Sequence, residues 1–318
     1  MAISKVRALA LLPFTGRGSG YASAGDNLRA FAAGLATAST ALKKYRDGGE
    51  VTPILLAPEW TFKKKQDVYR YGELGEICEG LTRLSKQYSD LLIFAGSILW
   101  AIEGKEEEKQ QRKFNFKNLK FDVKYYYRDY LIVYNTALVL RGGDIVHIYH
   151  KTHEGLDVDL KQVRAGREVF AFDPGEAKGE KYWKAFKARC ETVDASGKNL
   201  KPVIAHTFEH EGVTFGVEIC ADHCNATLAK AARQPVDIQV LVSCGACFSS
   251  RGMAVRRGGI ALHCDGNAEP PKNEFGFTAF VVDDDKKPTI PKPSKDGKTF
   301  FGAKDDRVAV WDELLALC

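Results

Sequence analysis

The stretch FGVEICADHC, residues 215–224, decides how the rest of the chain is interpreted. It begins like a buried β-strand and stops abruptly at Cys220, which is followed by Asp222, His223 and Cys224. In α/β proteins the loops beyond strand ends carry sites, because the sheet fixes their geometry while the loops stay open to solvent. The pattern leaves three interpretations of Cys220: a core thiol, a metal ligand or a nucleophile.

Around this stretch, short apolar strands alternate with segments of helical periodicity. Strands are predicted at 6–14, 52–60, 90–101, 237–243 and 259–266, hairpins at 131–151, at 204–220 and near the end of the chain, and helices at 27–45 (with Asp26 as N-cap), 72–88, about 225–234 and near 250–258. This alternation predicts α/β layers, not a helix bundle or an all-β barrel. No repeat or linker divides the chain, so we predict one domain over residues 1–318.

Two stretches interrupt the alternation and are predicted to be insertions. Residues 103–129 are highly charged and indicate an inserted loop or a solvated hairpin, and residues 171–202 are rich in lysine. Long loops of this kind either wall a pocket or lie on the surface with little role. Both possibilities stay open for each stretch.

The composition of the chain limits the classes of protein to which it can belong. The chain has 318 residues, 45% of them hydrophobic and 27% charged, which is typical of a globular protein. No apolar run approaches the length of a membrane span, and the beginning MAISKVRALALLPF lacks a cleavage-type signal. The eight cysteines are scattered and are expected to be reduced. We therefore expect a cytoplasmic protein that does not interact with membranes.

Three reactive side chains are predicted where strands stop: Glu59, Lys151 and Cys220. A cysteine attacks as the thiolate, a nearby cation stabilises the thiolate and any oxyanion, and a carboxylate can take a proton and return it to a leaving amine. Each residue alone has a simpler explanation as surface or packing. Together they form a complete set for acyl transfer, and we predict that they share one site.

The contexts of these residues resemble the nitrilase, or carbon–nitrogen hydrolase, superfamily. The motifs are APEWTF (57–62), YHKTHEG (149–155) and GVEICADHC (216–224), in the family's order, and the segments YNTALVLRGGDIVHIYHKTH, AGREVFAFD and DIQVLVSCGA between and after them also resemble it. The resemblance spans nearly the whole chain. It implies an αββα sandwich, in which two β-sheets pack face to face with helices outside. It also implies a homodimer or a larger homo-oligomer.

The resemblance implies a role for each matching residue. Cys220 would be the nucleophile, Glu59 the general base and acid, and Lys151 the stabiliser of the tetrahedral intermediate, helped by the backbone N–H of Ala221. For a second carboxylate beyond the lysine, Glu154 ranks ahead of Asp159. The implied chemistry needs no cofactor.

One departure from the family pattern bears on the substrate. True nitrilases place Trp and Glu after the cysteine, whereas this chain has Ala221 and Asp222, a pattern more similar to the amidase and carbamoylase side of the family. We therefore expect hydrolysis of a small amide or carbamoyl compound through a thioester. Nitrile hydrolysis, acyl transfer to an amine and a catalytically silent binding scaffold stay open as alternatives.

Further residues flank the three motifs and are predicted to support the site or bind substrate. They are Trp60, His153, His223 and Cys244, together with Glu154 and Ala221 already named. The two histidines could contact polar groups of the substrate, but hydrogen-bonded support is the more common role of such a residue. We favour that supporting role.

Competing interpretations of other motifs are weaker. A zinc cluster would need two short-spaced ligand pairs; Cys244 and Cys247 form one, whereas Cys220 and Cys224 are separated by three residues, so we predict no metal site. A redox role for Cys244 and Cys247 stays open.

The glycine-rich stretch 15–25 lacks the spacing of nucleotide-binding loops. The basic, aromatic stretch 112–130 contains acidic residues and fits a solvated strand, so we predict no nucleic-acid partner.

Overall fold

The computed structural model describes residues 3–16, 19–45, 47, 50–65, 67–115, 120–152, 168–171, 205–267, 276–284, 287–292, 296–302 and 306–318, with the backbone alone described for 102–132 and 168–171. The helices in these ranges are α1 (Ala24–Tyr45), α2 (Tyr71–Gln87), α3 (Ala221–Cys224) and α4 (Thr227–Ala231). The strands are β1 (Lys5–Leu11), β2 (Val51–Leu56), β3 (Tyr69–Arg70), β4 (Leu92–Asn115), β5 (Lys120–Arg141), β6 (Asp144–His150), β7 (Glu168–Ala171), β8 (Thr207–His210), β9 (Val213–Ile219), β10 (Val236–Ser243), β11 (Val255–Asp265), β12 (Phe277–Val281), β13 (Lys298–Phe301), β14 (Val308–Trp311) and β15 (Leu315–Ala316).

The strands form two mixed sheets. The first has the order β13-β14-β1-β2-β4-β5-β6, with β15 beside β1, β3 beside β4 and β7 beside β5, and the second has the order β12-β11-β10-β9-β8. Strands β1, β2 and β4 are mutually parallel, and so are β9, β10 and β11, while the hairpin strands are antiparallel. The predicted α/β architecture with two packed sheets is confirmed.

The alternation of side chains along β1 shows why the layers form. Val6 and Ala8 pack in the core between the two sheets, whereas Leu9 and Leu11 pack against the helices on the opposite face. Successive side chains of a strand point to opposite faces, so a strand covered on both sides is apolar throughout. Between the sheets, the second sheet contributes the inward side chains of β9, β10 and β11.

Helix α1 covers the outer face of the first sheet with α2. Its buried residues Phe31, Leu35 and Ala38 recur at helical spacing. The prediction that Asp26 is the N-cap is wrong, because the helix begins at Ala24 and the Ser23 hydroxyl accepts the Asp26 N–H at 3.1 Å. Asp26 lies in the first turn, where its charge favours the positive end of the helix dipole.

The predicted helix near 250–258 is also wrong, since β11 begins at Val255. The side chain of Gln239 takes the hydrogen bonds that a helix would make, accepting the Ala254 N–H at 2.8 Å and donating to the Gly252 carbonyl at 3.0 Å. A Cβ on Gly252 would lie 2.5 Å from the His223 ring, so the turn that precedes β11 packs directly against His223. Within the described ranges, the outer face of the second sheet carries only the short helices α3 and α4 beside this segment.

The stretch predicted to be the first insertion has its backbone in β4 and β5, which pair antiparallel from Glu103 with Leu131 to Asn115 with Lys120. This corresponds to the hairpin alternative; that the stretch is an insertion stays a prediction. The second predicted insertion, 171–202, lies almost wholly outside the described residues. None of the helices in the described ranges is both long and apolar enough to cross a membrane.

Candidate active site

The strand directions bring four chain segments to one end of the sandwich. β2 and β6 run the same way in the first sheet, and β9 and β10 run parallel in the second. The Glu59 N–H donates to the Ser243 carbonyl at 3.3 Å, which joins the end of β2 to the end of β10 across the layers. Lys151 follows β6 directly and Cys220 follows β9 directly. The structure therefore brings the three predicted catalytic residues together.

The Glu59 carboxylate is fully buried and lies at the centre of the site. Its Oε1 accepts hydrogen bonds from Lys151 Nζ and from Asn135 Nδ2, both at 2.7 Å. Its Oε2 accepts the backbone N–H of Cys244 at 3.1 Å, and the carboxylate also contacts the Cys220 thiol. A buried carboxylate needs several such partners to offset the loss of hydration, and here the partners also set its direction.

A bulge in β4 receives the turn that carries Glu59. The strand β2 ends three residues before Glu59, so the sequence-based strand 52–60 is too long. Gly96 has φ +72°, and a Cβ there would lie 2.2 Å from the Pro58 carbonyl oxygen. The next residue, Ser97, accepts the backbone N–H of Trp60 at 2.9 Å, and Trp60 itself has φ +60°. The close approach at Gly96 therefore allows the tight turn at Glu59.

Cys220 lies at a strained position between β9 and α3. Its φ of 48° and ψ of −104° fall outside the regions open to residues with a side chain, while its N–H still bonds the Val242 carbonyl at 3.0 Å. Such strain concentrates at functional sites, and a nucleophile on a sharp strand-to-helix turn is held out from the sheet. Ala221 is the first residue of α3, so its N–H has no acceptor within the helix and is free to face an oxyanion.

Asp222 ties the cysteine turn to the lysine strand. Its carboxylate is fully buried and accepts the Tyr149 hydroxyl at 2.6 Å, the Thr152 hydroxyl at 2.8 Å and the Thr152 N–H at 3.2 Å. Tyr149 and Thr152 flank Lys151, whose N–H donates to the Asn135 carbonyl at 2.9 Å. These bonds position the lysine from both sides.

The electrostatics favour a resting state with a neutral thiol beside an ion pair. Burial raises the pKa of Cys220, and the neighbouring Glu59 charge raises it further, against the opposing effect of Lys151. Burial raises the pKa of Glu59 above its ordinary value of 4.5, although Lys151 opposes this. Burial alone would lower the pKa of Lys151, but Glu59, Cys220 and Asp222 together outweigh it and raise the pKa above 10.5. A neutral thiol needs a base before it can act as a nucleophile, and the Glu59 carboxylate is in contact with the Cys220 thiol.

Cys244 lies beside Glu59 and Cys220 and contacts both through its backbone N–H. Its N–H bonds Glu59 and also interacts with the Cys220 sulfur. The Cys244 thiol packs against the apolar cluster around Trp60, and burial raises its pKa to about 12. The preceding residue, Ser243, is held by bonds to the Ala246 carbonyl and to His263 Nε2, both at 2.8 Å.

His223 lies in a buried hydrogen-bonded network, and which of its two predicted roles it has stays a prediction. It is fully buried on the outer side of the second sheet, with Nδ1 2.6 Å from Glu218 Oε2 and Nε2 accepting the Ser249 N–H at 2.9 Å. Since Nε2 is an acceptor, the proton lies on Nδ1 and is donated to Glu218. Glu218 also accepts Gln239 Nε2 at 2.8 Å. This network fixes the segment that covers the sheet.

The remaining predicted residues lie outside the described ranges: His153, Glu154 and Asp159. Their roles stay predictions. Sequence reasoning missed Asn135 as a site residue. The available signal was a polar amide inside the otherwise apolar strand YNTALVL, where burial requires a partner.

Metal ligation is the remaining interpretation of the cysteines and histidines. Among the described residues, no three His, Cys, Asp or Glu side chains lie close enough together to hold a metal ion. The seven described cysteines are all free thiols.

The chain is similar in structure to amidases and to a carbon–nitrogen hydrolase of known structure. An amidase from Nesterenkonia sp. superposes with a TM-score of 0.42 at 13% identity, covering 98% of this chain and 92% of the amidase. A variant of the Nesterenkonia sp. AN1 amidase, with the acetamide moiety of fluoroacetamide added covalently at its active-site cysteine, gives 0.43 at 12% identity, covering 98% and 91%. A carbon–nitrogen hydrolase from Helicobacter pylori G27 gives 0.46 at 13% identity, covering 99% and 90%.

In sequence, no protein-family model matches the chain, and no curated protein matches it. The amidase from Nesterenkonia AN1 is described as a member of the nitrilase superfamily. These likenesses concern the arrangement of the chain in space.

Proposed function

We propose that this protein is a carbon–nitrogen hydrolase of the nitrilase type that cleaves a small amide or carbamoyl compound through a Cys220 thioester. One observation carries the proposal: a fully buried Glu59 carboxylate contacts the Lys151 ammonium at 2.7 Å and the Cys220 thiol at the same time. A base, a cation and a nucleophile in mutual contact form the set that acyl transfer requires.

In the first half-reaction, the Cys220 sulfur attacks the carbonyl carbon while its proton passes to Glu59. The carbonyl oxygen becomes an oxyanion, which Lys151 Nζ and the Ala221 N–H stabilise. Glu59 then gives its proton to the nitrogen, the C–N bond breaks, and ammonia or an amine leaves. A thioester on Cys220 remains.

In the second half-reaction, Glu59 takes a proton from water as the water oxygen attacks the thioester carbon. The second tetrahedral intermediate is stabilised by the same two donors. When the C–S bond breaks, Glu59 returns the proton to sulfur and the acid is released. Glu59 thus alternates as base and acid, which a carboxyl with a raised pKa does efficiently near neutral pH.

Asn135 supports an amide over a nitrile as the substrate. Its Nδ2 donates to Glu59, and its Oδ1 is a buried acceptor with no partner among the described residues. An amide nitrogen carries N–H groups that such an acceptor can bind, whereas a nitrile has none. Leaving a buried acceptor unpaired costs about 1–3 kcal/mol, which a bound amide would recover.

The first test is mass spectrometry of alkylation by iodoacetamide at neutral pH, with mapping of the modified cysteine. We expect Cys220 to be labelled faster than the other cysteines, and more slowly in Lys151→Ala and Glu59→Gln. The labelling assigned to Cys220 should be absent in the Cys220→Ala variant, which confirms the assignment. A screen of small amides and carbamoyl compounds for released ammonia then measures turnover.

Two results would contradict the proposal. One is a Cys220 thiol no more reactive than Cys78, which is buried in the helix layer. The other is ammonia release that persists in Cys220→Ala. The first result would leave the fold as a binding scaffold, and the second would assign the hydrolysis to a nucleophile other than Cys220.

We also keep as proposals a cytoplasmic location and assembly into a homodimer or a larger homo-oligomer. Both rest on the sequence alone. Light scattering after size-exclusion chromatography measures the assembly, and a mass of 35.2 kDa, that of one chain, would contradict it.

A further inference from the structure

A second buried lysine lies at the site, and none of the described acidic side chains pairs with it. Lys63, four residues after Glu59, is only 6% exposed. Its Nζ donates to one acceptor, the Gly16 carbonyl oxygen at 3.2 Å, and lies 5.2 Å from the centre of the Trp60 ring. Its charge acts on the Glu59 carboxylate and on the Cys244 thiol, which places it beside the catalytic groups.

The buried acids near the site are already engaged. Glu59 pairs with Lys151, and Asp222 is held by Tyr149 and Thr152. In the described part of the chain, no carboxylate lies within ion-pair distance of Lys63. A buried ammonium without a counter-charge is costly, because the protein interior replaces its hydration poorly. Burial accordingly lowers the pKa of Lys63 below 10.5.

Two further buried polar groups lie near Lys63. The indole N–H of Trp60 is buried and has no acceptor in the described structure, although the Trp60 ring lies under the ammonium. The Thr15 hydroxyl, adjacent to Gly16, is also buried, and its contact with the Cys244 thiol lowers the pKa of that thiol.

We propose that Lys63, Trp60 and Thr15 bind a carboxylate carried by the substrate. The three residues can present an ammonium, an indole N–H and a hydroxyl, and a carboxylate offers two oxygens with about four acceptor positions. The cost of burying Lys63 is then offset when the substrate is bound. The substrate class is an amide or carbamoyl compound with an acidic group at its other end. That the bound carboxylate belongs to a substrate rests on the proposed function. That these three residues bind a carboxylate does not.

The first experiment compares two matched series on the wild-type protein. One series consists of terminal amides of linear dicarboxylic acids with two, three or four methylenes, and the other of neutral linear amides of the same length. We expect kcat/KM for the best acidic amide to exceed that of its neutral match by about tenfold or more, as the loss of a charge-assisted hydrogen bond would suggest. Lys63→Gln should reduce this ratio by about tenfold, whereas Lys65→Gln, an exposed lysine two residues on, should not change it.

The second experiment measures binding without turnover. Succinate, glutarate and adipate are tested for protection of Cys220 against iodoacetamide, with inorganic phosphate as a second anion and the matched diamides as neutral ligands. We expect a dicarboxylate to slow the labelling of wild-type Cys220, and not that of Lys63→Gln. Stronger Lys63-dependent protection by phosphate than by any dicarboxylate would overturn the assignment to a carboxylate.

The two proposals fail separately. If neutral amides are hydrolysed as well as acidic ones and Lys63→Gln leaves the ratio unchanged, the carboxylate site is wrong while the hydrolase stands. If no amide is hydrolysed but dicarboxylates protect Cys220 through Lys63, the carboxylate site stands while the hydrolase is wrong. Because the comparison of substrates uses the wild-type protein, a variant that fails to fold does not prevent the test.

Discussion

The Asp222 carboxylate accepts both the N–H and the hydroxyl of Thr152, at 3.2 and 2.8 Å, although Asp222 lies in α3 after the second sheet's β9 and Thr152 follows β6 of the first sheet. Asp222 lies two residues after the proposed nucleophile, and Thr152 lies one residue after the proposed cation. The relationship joins the end of β9 to the end of β6. It explains how a sandwich of two separate sheets can hold a cysteine and a lysine at fixed separation.

Replacing Asp222 should therefore uncouple the two catalytic side chains. In Asp222→Ala the Tyr149 hydroxyl and the Thr152 donors lose their buried acceptor, so we expect the free energy of unfolding to fall by about 3 kcal/mol. We also expect kcat/KM to fall by about a hundredfold, since a displacement of 1 Å is enough for that. Urea denaturation and amide hydrolysis measure the two effects.

The matched control for Asp222 is Tyr149→Phe, which removes only the bond at 2.6 Å. It should lower stability by about 1–2 kcal/mol and reduce the labelling rate of Cys220 less than Asp222→Ala does. A positioning role predicts that kcat falls more than KM rises. Equal stability loss without any change in Cys220 labelling would contradict it.

The acid limb of the pH profile should report Glu59. Burial raises its pKa above 4.5, and only the carboxylate can take the Cys220 proton, so kcat/KM should fall as the pH drops through this raised pKa. The groups that face the carboxyl are Lys151, Cys220 and Asn135, and all three lower its pKa. Asn135→Leu should thus move the acid limb to higher pH, with a loss of about tenfold to a hundredfold in kcat/KM. An acid limb at or below 4.5 would show that another group limits the reaction.

The third prediction concerns Gly96, whose backbone lies close to the Pro58 carbonyl. A Cβ at Gly96 would lie 2.2 Å from the Pro58 carbonyl oxygen, and its φ of +72° disfavours any side chain. In Gly96→Ala the turn that carries Glu59 must move, so we expect loss of stability by about 2–3 kcal/mol and a fall in Cys220 labelling. Gly142→Ala is the control, because that glycine also has positive φ but a Cβ there has open space around it. Similar labelling rates in the two variants would argue against the role of Gly96.

Much of the fold and of the site was predictable, for physical reasons. Strands covered on both faces are continuously apolar, and this pattern located β1, β9 and β10 to within a few residues. The predicted helix near 250–258 failed because Gln239 satisfies the backbone of that segment through its side chain, which no local pattern reveals.

Some residues of the site were predictable from the sequence and others were not. Glu59, Lys151 and Cys220 were predicted because each is a reactive side chain where a predicted strand stops. Lys63 was not found, because in the run TFKKK it cannot be told from its exposed neighbour Lys65. Only the packing of the chain shows which of the lysines is buried beside Glu59.

The last prediction concerns whether His223 acts together with the proposed catalytic groups Cys220 and Ala221, which precede it by two or three residues. His223→Ala would leave the buried Glu218 carboxylate without its closest partner at 2.6 Å, so we expect the free energy of unfolding to fall by about 3 kcal/mol. Because the network lies on the outer side of the second sheet, we expect the labelling rate of Cys220 in the folded variant to stay within about twofold of wild type. Asn225→Ala, an exposed residue of the same turn, should change neither quantity. Gly252→Ala should reproduce the loss of stability, since its Cβ would lie 2.5 Å from the His223 ring. A tenfold loss of Cys220 reactivity in His223→Ala, at a temperature where the variant is folded, would instead assign the histidine to the catalytic site.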